Sequence, residues 1–312
     1  MVYNGVMKKI IITIVIILVG GGVLYYLLKM PVSRVASPNN ENNPAMNTET
    51  PDDTGATTTP AMTAEGSEMV IGKSVQGLDI IAYNYGMGDT RILFVGGIHG
   101  GYSWNTALVA FQLMDYLKAN PSAIPANIKV TVIPVLNPDG LNKVVGTSTR
   151  FAAADVNPSQ AVQISGRYNG HVVDLNRNFA CDWKTIGTWR TTQVSGGTAA
   201  FSEPETAAVK SYIESHKPSA VVVWYSAAGG VYASSCGGPI SSETSVITNL
   251  YAKASGYPAY ETYDFYETSG DMVNWLANIK IPAISVLLTN HTDTEWTKNL
   301  AGIKALLLHY AK

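Results

Sequence analysis

Short runs of apolar, β-branched residues alternate with amphipathic segments along most of the chain. Four runs have the length and composition of buried strands, at 91–95, 128–134, 220–224 and 283–288. Five segments have helical periodicity, at 105–118, 203–215, 242–254, 271–279 and 295–310. The alternation predicts an α/β fold with three layers, in which a mixed, mostly parallel and twisted sheet has helices on both faces.

Candidate functional residues lie at or after the ends of these predicted strands. His99 lies soon after the first strand, Tyr225 directly after the third, and Leu287 near the end of the fourth. In open sheets of this kind, ligands bind at the carboxyl ends of the strands. We therefore expect these three positions to lie near one another at one edge of the sheet.

The first 30 residues have the pattern of a membrane anchor. Lys8 and Lys9 precede an uncharged run over residues 10–28, which Lys29 closes. As a helix this run would be about 28 Å long, close to the roughly 30 Å hydrocarbon core of a bilayer. A cleaved signal peptide is the alternative, but the residues after the run lack its small-residue cleavage site. The two lysines favour a cytoplasmic N-terminus, so we expect a single-pass protein whose C-terminal domain is extracytoplasmic.

Residues 31–68 differ sharply in composition from the rest of the chain. They are rich in Pro, Asn, Thr and Asp and have no periodic apolar face. Such a segment cannot bury enough apolar surface to offset its ordering entropy, so it is predicted to be a disordered extracytoplasmic linker. The folded domain is then predicted at 69–312.

Charge and cysteine content narrow the class of protein further. The chain has 21 basic and 23 acidic residues and a net charge of −2, without a basic patch that alternates with aromatic residues. Nucleic-acid binding is therefore not indicated. The two cysteines, Cys181 and Cys236, suggest a disulfide in an oxidising compartment, with two separate reduced thiols as the alternative.

Three motifs in the predicted domain resemble one enzyme family. They are FVGGIHGG at 94–101, HVVDLNRNF at 171–179 and YETSGDMVNW at 266–275. Together they resemble the zinc-dependent carboxypeptidases, which remove the last residue of a peptide with one zinc ion and a glutamate base. The resemblance extends over about residues 72–310 and implies the carboxypeptidase-like version of the α/β fold.

The resemblance assigns roles in substrate binding to several residues. Asn176 and Arg177 would bind the carboxylate at the substrate's C-terminus, a task that suits the planar fork of arginine. Tyr266 would close over the bound substrate, and Arg150 would steady the oxyanion. Asp174 would accept a hydrogen bond from His99, as the partner that a metal-bound histidine usually needs.

The same resemblance indicates that the catalytic positions are altered. His99 matches one zinc ligand, but Tyr102 and Tyr225 stand at the other two ligand positions, and Leu287 stands where the family has its glutamate base. Tyrosine has a reference pKa near 10 and is a poor zinc ligand. Leucine cannot accept a proton.

The resulting hypothesis is a membrane-anchored pseudo-peptidase that recognises peptide or protein C-termini, including cell-wall peptides, without hydrolysing them. No cofactor is expected under this hypothesis. One alternative is an active, divergent zinc carboxypeptidase that uses His99, one or both tyrosines and His291. A second alternative is a purely structural surface protein whose old pocket is filled.

Overall fold

The computed structural model of this protein describes residues 67–312, which belong to one compact unit, Pro60–Lys312. The predicted anchor at 1–30 and all but the last two residues of the predicted linker lie outside the described residues. Within 67–312, no helix combines the length and the apolar character that a membrane crossing requires. The first strand begins at Ser67, so the sheet includes two residues that were assigned to the linker.

A mixed sheet of eight strands forms the centre of the fold. The ten strands of the described chain are β1 (Ser67–Lys73), β2 (Asp79–Tyr85), β3 (Thr90–Val95), β4 (Ile128–Ile133), β5 (Ile186–Trp189), β6 (Thr192–Ser195), β7 (Ala220–Ser226), β8 (Gly230–Ala233), β9 (Ala259–Tyr260) and β10 (Ala283–Leu288). The large sheet has the order β1-β2-β4-β3-β7-β10-β8-β9, and β5 and β6 form a separate hairpin. The four central strands β4, β3, β7 and β10 are parallel, whereas β1, β2 and β8 join them in antiparallel pairs.

Helices connect the strands and cover the sheet. They are α1 (Trp104–Ala119), α2 (Pro138–Val145), α3 (Gln160–Ser165), α4 (Pro204–His216), α5 (Ser242–Ser255), α6 (Met272–Asn278) and α7 (Trp296–Tyr310). All five predicted helices are present, with ends that shift by a residue or so. The four predicted strands are the four central parallel strands, because strands buried on both faces give continuous apolar runs.

Alternate residues of the central strands pack into two separate cores. On β3, Ile92 and Phe94 belong to the core that also contains residues of α1, α5 and α7, whereas Leu93 and Val95 belong to the core with residues of α4 and α6. Side chains that alternate in this way place one helical layer on each face of the sheet. The predicted three-layer α/β fold is therefore confirmed.

A disulfide between Cys181 and Cys236 joins two loops of this domain, with 5.9 Å between the Cα atoms. Cys181 lies just beyond the DLNRNF motif, and Cys236 lies just after β8. The disulfide closes a long loop, since the two residues are 55 positions apart in the sequence.

Candidate functional site

A cavity of about 220 Å³ opens at the carboxyl ends of β7 and β10. Its lining includes most of the residues that the sequence singles out: His99, Tyr102, Asn176, Arg177, Tyr225, Tyr266 and Leu287. These residues come from five separate parts of the chain. The parallel strands bring them together because their carboxyl ends meet at one edge of the sheet.

His99 is held in a tight turn directly after β3. The turn passes through Gly96 and Gly97; Gly97 has a φ of +61°, and a Cβ on Gly96 would lie 2.7 Å from the Thr106 carbonyl oxygen. The imidazole is buried, with its Nε2 3.5 Å from Asp174 Oδ1. Burial, together with the nearby Arg167, lowers the pKa of His99 to about 4. The ring is therefore neutral near pH 7.

Asp174 and Arg167 form a buried ion pair beside His99. The Nε and Nη2 atoms of Arg167 lie 2.8 and 2.7 Å from Asp174 Oδ2. Burial by itself would raise the pKa of Asp174, but the guanidinium holds it well below its ordinary value. The Arg167 guanidinium also packs over the Trp189 ring at 4.5 Å. Both charges are thus fixed in position next to the imidazole.

Arg177 is anchored by backbone carbonyl groups. Its Nε and Nη2 donate to the Thr188 carbonyl oxygen at 3.1 and 2.8 Å, and its Nη1 donates to the Asn176 carbonyl oxygen at 2.6 Å. A guanidinium has five N–H groups, so these three bonds leave two for a ligand. The Tyr266 ring lies 6.0 Å from the guanidinium carbon. The site therefore contains a rigid, buried cation that faces the cavity.

Asn176 is oriented by the residues around it. Its Oδ1 accepts hydrogen bonds from Tyr225 Oη and the Met272 backbone amide, both at 3.1 Å. No acceptor among residues 67–312 contacts its Nδ2. Because the oxygen is occupied and the nitrogen is not, Asn176 offers the cavity a hydrogen-bond donor beside Arg177.

Tyr102 and Tyr225 line the same cavity as His99. The Tyr225 ring centroid is 5.7 Å from that of His99, and Tyr102 packs against Trp189 at 5.0 Å and His291 at 4.5 Å. Burial raises the pKa of both phenols, that of Tyr225 well above 10. Both hydroxyl groups are therefore neutral near pH 7.

The donor set around His99 does not fit a zinc ion of the usual kind. Such sites use three or four imidazole, carboxylate or thiolate ligands. Within the described part of the chain, the one group of three such side chains with ligand atoms within 4.8 Å is Cys181, Asp182 and Cys236. Its two sulfur atoms belong to the disulfide. At His99 the structure instead provides one imidazole, two neutral phenols and a carboxylate already paired with Arg167.

Leu287 forms part of the cavity wall at the end of β10, where it pairs in register with Tyr225. The carboxylates that line the cavity are instead Glu261 and Asp271. His291, considered from the sequence as a base or ligand, is not in the cavity lining. Its Nδ1 lies 2.9 Å from Ser226 Oγ, and its ring packs against Tyr102; both of these residues line the cavity.

Arg150 does not reach the cavity. Its guanidinium forms a bidentate pair with Asp115 on α1, at 2.7 and 3.0 Å, and lies over the Phe111 ring. The structure thus contradicts the placement of Arg150 at the oxyanion. The guanidinium beside His99 belongs to Arg167, seven residues before Asp174. Arg167 lies outside the DLNRNF motif, and no pattern in the sequence marks it.

Other residues of the site have no motif that identifies them. Besides Arg167, they are Trp189, Arg190, Tyr232 and Tyr263, which also line the cavity. Asp271 lines it too and lies within the motif at 266–275, but the resemblance assigned it no role. Trp189 and Arg190 come from the β5–β6 hairpin, and Tyr232 comes from the short strand β8. Neither element has a distinctive sequence pattern, so no sequence signal indicated these residues.

A sequence profile of the zinc carboxypeptidase family matches residues 60–297, which is most of the chain. The chain therefore belongs to the zinc carboxypeptidase family. The resemblance inferred from the three motifs is confirmed at the level of family.

Among curated relatives within the family, Murein peptide amidase A of Vibrio campbellii is 28% identical over 250 residues, which cover 76% of this chain and 86% of that protein. Human Carboxypeptidase O is 40% identical over 93 residues, and Carboxypeptidase B of Helicoverpa zea is 26% identical over 162 residues. These matches cover 29% and 50% of this chain, and span only 23% and 36% of the respective relatives.

Solved structures with the same fold include thrombin activatable fibrinolysis inhibitor, with a TM-score of 0.65 at 16% identity, over 79% of this chain and 69% of that one. Another is murein-tripeptide amidase MpaA from Escherichia coli O157, with a TM-score of 0.55 at 20% identity, over 78% and 92% of the two chains. At such low identity these similarities show a common fold.

Proposed function

We propose that the cavity binds the free C-terminal carboxylate of a peptide, and that the protein does not hydrolyse the peptide it holds. The observation that carries this proposal is that the anchored guanidinium of Arg177 lines the same cavity as Leu287. Groups suited to bind a carboxylate are therefore present, whereas a leucine stands at the position of the family's glutamate base.

The binding half of the proposal rests on the state of Arg177. A guanidinium that is 1% exposed has lost most of its hydration, and its remaining N–H groups gain from a bidentate carboxylate. The Asn176 amide provides another donor at the same place. Tyr266, which lies against the guanidinium, is suited to cover the bound end of the peptide.

The proposed absence of hydrolysis rests on two features. Leu287 supplies no base, and loss of a general base typically lowers the rate about 10²–10⁴-fold. The donors around His99 suit a zinc ion poorly, so the water activation that zinc supplies in this family would also be missing. An active enzyme with an unusual metal site is the alternative that the experiments must exclude.

The names of the relatives support a choice of ligand, and the disulfide supports a choice of compartment. Two of them act on murein peptides by name, so cell-wall peptides are proposed ligands here. The Cys181–Cys236 disulfide is typical of an oxidising compartment. It supports the proposal that this domain is extracytoplasmic and is tethered to the membrane by residues 1–30.

The binding proposal is tested with pairs of peptides that differ only at the last group. We expect the purified full-length protein to bind an N-acetylated tripeptide with a free carboxylate at least about tenfold tighter than its C-terminal amide, because charge-assisted hydrogen bonds are at stake. Arg177→Gln should abolish this preference, and Arg150→Gln, which changes an exposed arginine outside the cavity, should keep it. Equal affinity of the wild-type protein for acid and amide would refute the proposal.

The proposed lack of activity is tested by metal analysis and by restoring the family residues. We expect the purified protein to contain far less than one zinc per chain and to release no C-terminal amino acid from peptides. The combined variant Tyr102→Glu, Tyr225→His and Leu287→Glu should then take up zinc. Stoichiometric zinc in the wild-type protein together with amino-acid release would favour the active enzyme instead.

A further inference from the structure

The disulfide between Cys181 and Cys236 joins two loops that carry walls of the ligand cavity, the cavity that contains Arg177. Cys181 follows the motif that provides Asn176 and Arg177, and Cys236 follows β8, which provides Tyr232. The two cysteines are 55 positions apart, so no short stretch of chain holds these loops together. The disulfide is therefore a direct covalent link between two parts of one binding site.

Hydrogen bonds connect both loops to a third segment of the ligand cavity, residues 270–274. The Gly270 backbone amide donates to the Cys181 carbonyl oxygen at 2.7 Å. From the other loop, the Ser235 backbone amide donates to Asn274 Oδ1 at 3.0 Å. Cleavage of the disulfide removes the covalent link and leaves these loops ordered by noncovalent contacts, which open more readily.

A second cavity, of about 180 Å³, adjoins only one of the two cysteines. Its lining includes Cys236 and Lys280 but not Cys181. Cys181 is 4% exposed, whereas Cys236 is partly exposed. Lys280 is the charged residue of this lining, and an ammonium group attracts and stabilises a thiolate. The second cavity thus gives a small anionic thiol access to the Cys236 side of the disulfide.

A carboxylate stands beside the buried half of the disulfide. Asp182 is exposed, and its Oδ2 lies 3.8 Å from Cys181 Sγ. A negative charge at this distance disfavours a second negative charge on the Cys181 sulfur. Cys181 is then a slower leaving group than an isolated cysteine, so Asp182 restrains the cleavage of the disulfide.

We propose that Cys236 is a site of thiol–disulfide exchange with a small anionic thiol, and that cleavage of the disulfide weakens ligand binding in the ligand cavity. The effect on binding rests on the proposed function, because Arg177 and Asn176 hold the carboxylate of the ligand. The exchange site itself does not depend on the proposed function.

The exchange consumes two molecules of the thiol. The thiolate of the first forms a bond to Cys236 Sγ; the bond to Cys181 breaks, and its electron pair leaves on Cys181 Sγ, which takes a proton from water. The thiolate of the second molecule attacks the sulfur of the first, and Cys236 leaves as a thiolate that is also protonated by water. The protein disulfide is reduced by two electrons, and the two small thiols are oxidised to their own disulfide.

The exchange site is tested by trapping the mixed disulfide. Oxidised full-length protein is treated with reduced glutathione, a small anionic thiol, and free thiols are then blocked with N-ethylmaleimide. Peptide mass spectrometry should find glutathione on Cys236 and maleimide on Cys181 at least about tenfold more often than the reverse arrangement. Equal amounts of the two arrangements, or exchange that proceeds only at the rate of global unfolding, would overturn the exchange site.

Charges near the two sulfur atoms provide a second readout, which a purely structural disulfide would not show. Lys280→Gln should slow exchange with glutathione about threefold, and Asp182→Asn should speed it about threefold, as expected for exposed charges. Lys253→Gln changes an exposed lysine of α5 outside the second cavity, and it should leave the rate unchanged. Rates that respond to neither Lys280 nor Asp182 would contradict the proposed route of attack.

The effect on binding is tested with an N-acetylated tripeptide that has a free carboxylate. We expect the oxidised protein to bind it about tenfold tighter than the reduced protein, because the ligand must then order loops that are no longer linked. The double variant Cys181→Ser and Cys236→Ser should bind as weakly as the reduced protein. Both comparisons are made at a temperature at which circular dichroism shows the same folded state for all three forms.

The possible failures are distinguishable. If the oxidised and reduced forms bind the tripeptide equally and still discriminate against its amide, the effect on binding is wrong and the proposed function stands. If neither form prefers the acid to the amide, the proposed function fails, and the effect on binding fails with it. If the reduced protein is unfolded at every temperature, the loss of binding is global, and the local effect proposed here is overturned.

Discussion

The buried pair between Arg167 and Asp174 allows a quantitative test of how this site is built. Asp174→Asn keeps the shape of the side chain but leaves the Arg167 guanidinium, which is 1% exposed, without its counter-charge. Removal of one partner from a buried ion pair typically costs about 3–5 kcal/mol. We expect a loss of that size in the free energy of unfolding for Asp174→Asn, and a similar loss for Arg167→Met.

The double variant should be no less stable than either single variant, because it buries no unpaired charge. The coupling energy between the two sites is then at least about 3 kcal/mol. Urea denaturation followed by tryptophan fluorescence measures all four free energies, and Trp189 beside Arg167 provides a local signal. If the loss of the double variant equals the sum of the two single-variant losses to within about 0.5 kcal/mol, the two side chains do not interact, and the reasoning is refuted.

A surface pair provides the matched control. Arg150 and Asp115 form a bidentate pair of similar geometry, but their side chains are 52% and 61% exposed. Solvent screens such a pair, so Asp115→Asn should change the unfolding free energy by no more than about 1 kcal/mol. A loss as large as that of Asp174→Asn would show that burial is not the cause of the difference.

The buried pair also predicts an acid-dependent loss of stability. The pKa of Asp174 in the folded protein lies below its ordinary value of 3.8, so the unfolded state binds the proton more readily. The contribution of Asp174 is therefore complete at neutral pH and is lost as the pH falls below about 4. The difference in stability between wild type and Asp174→Asn should narrow over this range.

Two further predictions concern the loops around the cavity. Replacement of both Cys181 and Cys236 by serine should lower the free energy of unfolding by about 4 kcal/mol, because the disulfide closes a loop of 55 residues and so restricts the unfolded chain. Denaturation of the variant and of the oxidised wild type measures this difference. Burial lowers the pKa of His291 to about 4, so this ring is neutral in the folded protein and becomes protonated on unfolding below about pH 6.5. The free energy of unfolding should therefore fall from pH 6.5 to 4. His291→Gln should reduce that fall by about 1–2 kcal/mol, after allowance for the partial exposure of the ring. Identical pH profiles of the unfolding free energy in the wild type and the variant would exclude a contribution from His291.

The sequence alone determined the elements whose pattern is local. The four parallel strands are buried on both faces and so are continuously apolar, and the helices between them repeat with the helical period. Their order implies one edge where the carboxyl ends meet, and this placed His99, Tyr225 and Leu287 together in advance. The DLNRNF motif likewise identified Asp174, Asn176 and Arg177, because they are adjacent in the chain.

Only the tertiary structure decided which distant side chains complete the site. The resemblance placed Arg150 at the oxyanion, and no pattern marked Arg167. In the structure Arg150 is paired with Asp115 on the surface, and Arg167 is buried against Asp174. Tyr263 and Asp271 became part of the cavity through the packing of the loops before and at the start of α6. Such contacts depend on the path of the backbone between elements, and no periodicity in the chain encodes that path.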